Sequence, residues 1–148
     1  MESKLEILVA DDLESYLQLN SVFETVFGTN RKKKPNLGHA RFILLGENFI
    51  VIVAKVDGMI VGGLTIFMID QYVINHPSAF VHDIAILEEY QGKGIGKKLM
   101  EFTVKYCRKF KFKDVFVLAN KEDQHSIEFY RSISPSTEEK VIQFTYNC

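Results

Sequence analysis

Three glycines fall within the six residues Gln91-Gly92-Lys93-Gly94-Ile95-Gly96, and Lys97 and Lys98 follow at once. Glycines at the start of a helix let the backbone approach a ligand closely and leave several N–H groups unpaired. Together with the positive end of the helix dipole they make an anion site suited to a diphosphate. A turn that only joins a strand to a helix has the same composition, so placement decides between the two. A Walker A loop needs Gly-Lys-Ser or Gly-Lys-Thr, whereas Gly96 precedes two lysines. A dinucleotide fingerprint belongs at the first strand of its βαβ unit, whereas apolar runs of strand type precede this loop. Upstream, Asp83 interrupts the apolar run Phe80–Leu87, where a carboxylate is costly to bury without a partner. Such a group can hold an ammonium, accept its proton or relay it through water; the alternative is a solvated aspartate at a bulge or sheet edge. His82 beside it is of the type that titrates near neutrality. Downstream, Tyr130 follows Phe129 and reads either as half-buried core or as an acid for a leaving group. Glu122 adds a carboxylate, and Asp123 sits where a helix N-cap belongs.

These groups need a scaffold. Lys4–Val9 is short and weakly alternating, as a first strand; Asp11 and Asp12 followed by Glu14 suggest a capping box opening a helix. Leu13, Tyr16, Leu17, Phe23, Val26 and Phe27 recur at helical spacing, and Gly28 can end that helix at positive φ. After the basic run Arg31-Lys32-Lys33-Lys34, Asn36–Leu45 predicts a shorter helix. Asn48–Lys55 and Met59–Ile69 read as a hairpin around Val56-Asp57-Gly58, and Phe80–Leu87 as a third strand of the series. From Lys93 to Arg108 the apolar positions Ile95, Leu99, Phe102 and Tyr106 share a helical face. Asp114–Ala119 predicts a buried strand, Gln124–Ile133 a helix and Val141–Tyr146 a closing strand. The alternation predicts a single α+β domain over residues 1–148, in three layers with a mixed sheet.

Composition limits what the chain can be. With 148 residues, 47% hydrophobic and 25% charged, it is long enough to bury a core, and disorder as a whole is excluded. Eighteen basic against 19 acidic residues leave a net charge of −1, too little to hold nucleic acid or a membrane by bulk field. Charged ligands must meet local patches: positive around Lys93, Lys97 and Lys98, negative around Asp83, Glu122 and Asp123. Two cysteines, Cys107 and Cys148, make no disulfide framework, no metal set is expected, and no leader or spanning segment is read; the expected location is the cytoplasm.

Gln91-x-x-Gly94-x-Gly96, after an apolar strand and opening a helix, resembles the acyl-CoA signature of the GCN5-related N-acetyltransferases. The resemblance extends from the earlier hairpin to the helix carrying Phe129-Tyr130. His82-Asp83-Ile84-Ala85-Ile86 is similar to the Y-D-L-A-V of the gentamicin-type aminoglycoside 3-N-acetyltransferases. It implies a three-layer α/β/α fold around a mostly antiparallel sheet, acetyl-CoA as cosubstrate and a small amine as acceptor, with antibiotic resistance as the associated role and a homodimer as a common state. In that reading the backbone of Gln91, Gly92, Lys93, Gly94, Ile95, Gly96 and Lys97 holds the diphosphate. Ile84, Ala85 and Ile86 hold the pantetheine arm, and the strand splays from Val115–Ala119 to admit the thioester. Asp123 and Ser126 lie toward the cofactor, Tyr130 is the acid for the departing thiolate and Asp83 the catalytic carboxylate; beside this carry-over, His82, Asp83 and Glu122 are read as candidates to meet the acceptor, the role of His82 staying open because those enzymes have a tyrosine there. Three departures stand out. His82 replaces a tyrosine, Ser126 replaces alanine, and Ser134 replaces a glycine. The Arg31–Lys34 run would repel a cation if it lined the acceptor entrance. A polyamine, amino-acid or protein amine as acceptor, and a non-catalytic acyl-CoA-binding module, are the alternatives.

Overall fold

The computed structural model describes residues 2–28 and 36–148, so the basic run Arg31–Lys34 lies outside the described residues. The chain divides into two units, Met1–Leu118 and Ala119–Cys148.

In the first unit β1 (Lys4–Ile7) leads to α1 (Leu13–Phe27). The expected capping box does not form: the Asp12 carboxylate turns back and accepts the Val9 N–H at 2.8 Å, which shapes the strand-to-helix turn instead. Gly28 ends the helix at φ 66, its N–H donating to the Glu24 carbonyl. Asn36 caps α2 (Leu37–Leu44) by accepting the His39 N–H. Then come β2 (Phe49–Val56), β3 (Met59–Ile69) and β4 (Ser78–Ile86), a 3₁₀ turn at Glu88–Tyr90, α3 (Ile95–Lys109) and β5 (Asp114–Val117). The sheet order is β1-β2-β3-β4-β5, antiparallel except for the β4–β5 pair. The expected mixed, mostly antiparallel α+β architecture is therefore present.

Strand alternation separates two cores. Val51, Val53, Ile60 and Ala85 pack with Tyr16, Leu19, Val22 and Phe23 of α1 and Ala40 and Leu44 of α2. On the opposite face lie Ile52, Leu64, Ile66 and Val81, all fully buried, and α3 buries Ile95, Leu99, Met100, Thr103 and Cys107. The α3 stripe is centred one position off the predicted one, since Phe102 and Tyr106 are only partly covered. Close approach explains Gly62-Gly63 within β3. A Cβ at Gly63 would sit 2.6 Å from the Ile52 carbonyl oxygen and 2.7 Å from Leu19 Cδ1, and one at Gly62 would sit 2.7 Å from the Ala85 carbonyl oxygen.

In the second unit α4 (Gln124–Ser132) is capped by Asp123, and Arg131 at its end makes two hydrogen bonds to Glu138, at 2.7 and 2.9 Å. The closing strand expected over Val141–Tyr146 does not form. Val141, Ile142, Phe144 and Tyr146 are 66–84% exposed, and no backbone partner is present for them among the described residues. A strand needs a neighbour to satisfy its backbone, and alternation of β-branched and aromatic residues supplies only its side-chain half. No helix among the described residues is long and apolar enough to cross a membrane.

Candidate active site

The β3–β4 ladder contains one irregularity, and it falls at the polar pair. Thr65 faces Asp83 and Ile66 faces Val81, so His82 is the extra residue of a β-bulge. In a regular strand His82 and Asp83 would point to opposite faces; the bulge brings them together, with His82 Nδ1 3.0 Å from Asp83 Oδ2. The Asp83 N–H donates to the Thr65 hydroxyl at 3.3 Å, which ties the bulge to β3. Asp83 thus lies beside a bulge with its side chain 39% exposed and paired to His82, not buried without a partner.

Around this pair runs a row of rings. Phe49, Phe67, Phe80 and Phe116 occupy matched positions on β2, β3, β4 and β5. Neighbouring ring centroids in the row Phe49–Phe67 and Phe80–Phe116 are each 5.0 Å apart. The His82 ring stands edge-on to Phe67 at 5.5 Å and to Phe80 at 5.6 Å. Tyr16 of α1 extends the row from Phe49, which places it on the face that carries α1. Sequence pattern alone missed Thr65, Phe67, Phe80 and Phe116 as companions of Asp83, because only the register brings them beside it.

The pairing of β4 with β5 ends at Val81, the residue before the bulge. Their ladder runs from Ser78↔Asp114 to Val81↔Val117 and stops, although β4 continues to Ile86. The strand predicted over Asp114–Ala119 is shorter than expected and ends at Val117, where that ladder ends. Leu87 N–H donates to the Val61 carbonyl, so by alternation Ala85 also faces β3, while the N–H and C=O groups of Ile84 and Ile86 face the vacated side. Gln91 Nε2 donates to the Ile86 carbonyl at 2.8 Å, a side-chain role the motif did not foretell. Beyond Val117 the two strands no longer pair, and among the described residues the Ile84 and Ile86 N–H groups have no partner on β3.

Gln91 leads into the glycine loop. Gly92 and Gly94 adopt φ 73 and 83, with Gly94 as the N-cap of α3. A Cβ at either would meet no protein atom within 4 Å, so the loop needs these glycines for backbone conformation rather than for room among its own side chains. No side chain caps α3, unlike α2 and α4, and the first-turn N–H groups of Ile95, Gly96 and Lys97 have no intrahelical acceptor. Lys93, Lys97 and Lys98 are exposed beside them, Lys97 within 3.8 Å of Glu101. These donors and charges fit a diphosphate, and the free strand edge fits an amide-bearing arm.

In the second unit both oxygens of the Asp123 carboxylate are taken by Ser126, through its N–H at 3.1 Å and its hydroxyl at 2.7 Å; these bonds hold its carboxyl below the ordinary range. Capping is the role this geometry gives it. Glu122 is exposed, its N–H bonded to Asn120 Oδ1. Tyr130 is partly buried with its ring against Phe129, and burial, aided by the Asp123 charge, pushes its hydroxyl up to about 12. It therefore remains a proton donor at neutral pH. Among the described residues no group of three or more His, Cys, Asp or Glu side chains is placed to hold a metal ion.

Comparison with known proteins places this geometry. Over 99% of its length the chain is similar to an aminoglycoside acetyltransferase, meta-AAC0020 from an uncultured soil metagenomic sample, solved in complex with sisomicin; identity is 38%, the TM-score 0.95, and 96% of that chain is covered. It shares its fold with a second soil metagenomic aminoglycoside acetyltransferase, HMB0005, at 22% identity and TM-score 0.83, with 100% and 99% of the two chains covered. It also shares the fold of aminoglycoside N-acetyltransferase AAC(6')-Iy, solved with CoA, at 16% identity and TM-score 0.79 over 99% and 96% of the chains. The Acetyltransferase (GNAT) profile matches residues 16–133, from α1 through α4. With the glycine loop, the parted strands and that match in one chain, the protein is an N-acetyltransferase and belongs to the GNAT family.

Proposed function

We propose that the protein transfers the acetyl group of acetyl-CoA to a primary amine of an aminoglycoside, at the 3-amino position. The observation that carries the aminoglycoside part of this reading is the full-length likeness, at 38% identity, to an aminoglycoside acetyltransferase solved with sisomicin; the 3-amino position rests on the resemblance of His82–Ile86 to the gentamicin type. The site's chemistry agrees with it: a carboxylate beside a row of aromatic rings suits a cationic sugar, whose ring carries both amino groups and an apolar C–H face.

When bound, acetyl-CoA supplies the activated acyl group. The chain's own residues then bind, orient and move protons. Backbone N–H groups from Gln91 to Lys97 take the diphosphate, so loss of a glycine matters more than loss of the Lys93 side chain. Ile84–Ile86 align the pantetheine arm and offer an N–H to the carbonyl oxygen, while Asp83 draws the ammonium to the His82–Asp83 pair. Tyr130 donates to the departing sulfur, with Glu122 assigned to the acceptor and Ser126 to the cofactor. Holding two substrates in register is the larger part of the rate gain.

The test is thiol release measured with sisomicin, gentamicin and spermidine as acceptors, followed by NMR of the product. Faster release with the two aminoglycosides and acetylation at the 3-amino group support the reading. Preference for spermidine makes the acceptor a polyamine, and tight acetyl-CoA binding without release from any amine makes the chain a binding module.

A further inference from the structure

We propose that His82 Nε2 is the atom that takes the proton from the acceptor amine, and that Asp83 is its positioning residue. This rests on the transferase reading above and assigns the base within it.

The geometry carries the assignment. An ionised carboxylate can only accept hydrogen bonds, so the 3.0 Å contact with Asp83 Oδ2 makes His82 Nδ1 the protonated nitrogen and leaves the lone pair on Nε2. The contact exists because the bulge makes His82 the extra residue, bringing two consecutive side chains to one side of the strand. Thr65 fixes the bulge through the Asp83 N–H, and Phe67 and Phe80 meet the imidazole at interplanar angles of 88° and 90°. The ring is therefore oriented by a carboxylate, a backbone anchor and two phenyl groups. It is not sealed: the His82 side chain is 52% exposed, and among the described residues Nε2 has no hydrogen-bond partner. Among the described residues Asp83 on its own strand is the charged group in contact with it; what faces it from β3 is the neutral Phe67, with the Thr65 hydroxyl beside the pair. An oriented imidazole with a free nitrogen needs no further rearrangement to act as base, whereas Asp83 already spends one oxygen on Nδ1.

The acceptor ammonium gives one proton to Nε2, and the resulting imidazolium is stabilised by the Asp83 carboxylate until the proton passes to solvent. The freed nitrogen pair forms the C–N bond to the thioester carbonyl carbon. The C–S bond breaks with its pair on sulfur, which takes the Tyr130 proton. The second proton leaving the nitrogen passes to Nε2 and through solvent restores the phenol. One proton is released per turnover.

The test is the pH dependence of kcat/KM with sisomicin for the wild type, His82→Ala and Asp83→Asn, with acetyl-CoA affinity and Tm measured on each. An imidazole base gives an acidic limb where histidines titrate, and a carboxylate base gives one several units lower. His82→Ala is expected to lose about 10²-fold in kcat with that limb removed, to recover partly with free imidazole, and to keep its acetyl-CoA affinity and Tm. Asp83→Asn is expected to keep the limb but to lower kcat, because the imidazole loses the carboxylate that orients its Nδ1–H. Retention of the wild-type limb by His82→Ala, or its absence in the wild type with Asp83→Asn inactive, overturns the assignment while leaving the transferase reading intact. A folded wild type that releases no thiol with any amine overturns both.

Discussion

At the residue scale, Tyr130 shows how one environment both permits and limits a catalytic role. Burial and the nearby Asp123 charge push its hydroxyl up to about 12, so the phenol holds its proton across neutral pH. Because a coenzyme A thiolate is already a tolerable leaving group, the gain from an acid lies at the low end of its usual range. Tyr130→Phe is expected to lower kcat by about 10²-fold, with the shape of the pH profile unchanged because the phenol does not titrate in that range. Full activity in the variant would remove Tyr130 from the reaction. The residue types proposed for the reaction were legible in the sequence: a carboxylate inside an apolar run, a histidine beside it, a tyrosine on a late helix. Their relations were not. Nothing in the string His82-Asp83 says that the two side chains share a face, since ordinary strand alternation says the opposite. Asp123 went the other way, its carboxylate being used locally by Ser126.

At the element scale, Met59–Ile69 was legible to the residue, and the other strands and helices to within a few, because apolar period and turn chemistry agree there. Where they failed, a partner was missing. β5 stops at Val117, where its ladder with β4 ends, and Val141–Tyr146 has strand-forming side chains but no ladder among the described residues. The packing of α1 on the sheet depends on a residue with no side chain. A Cβ at Gly63 would press on backbone, the Ile52 carbonyl, as well as on Leu19, and backbone in a central strand pair cannot step aside. Gly63→Ala is therefore expected to destabilise by about 1–3 kcal/mol and to lower Tm by about 3–10 °C in a thermal melt. Gly58→Ala is a useful contrast, since no atom lies within 4 Å of its Cβ position and its cost comes from φ 76 alone.

At the scale of the whole molecule, the net charge of −1 conceals a local layout, with lysines around the α3 N-terminus and ion-paired carboxylates elsewhere. Three carboxyl groups are held below their ordinary values by hydrogen bonds: Glu6 from Lys55, Asp123 from Ser126 and Glu138 from Arg131. A carboxyl depressed in the folded state contributes stability that is present above its unfolded value and lost as pH falls through the folded one. Tm is thus expected to hold from neutral pH down to about 5 and to fall below about 4, with Glu6→Gln showing a shallower fall. An unchanged slope in that variant would exclude Glu6 as a contributor. The parting of β4 from β5 has a consequence for how the backbone meets water. Along Ile84–Leu87 alternate amides are bonded to β3 and alternate amides face the vacated edge, so deuterium exchange is expected to alternate too, slow at Ala85 and Leu87 and fast at Ile84 and Ile86. Binding of acetyl-CoA along that edge would erase the alternation, and the loss of one rapid exchange rate at every second residue would mark where the sheet borrows a strand from a small molecule.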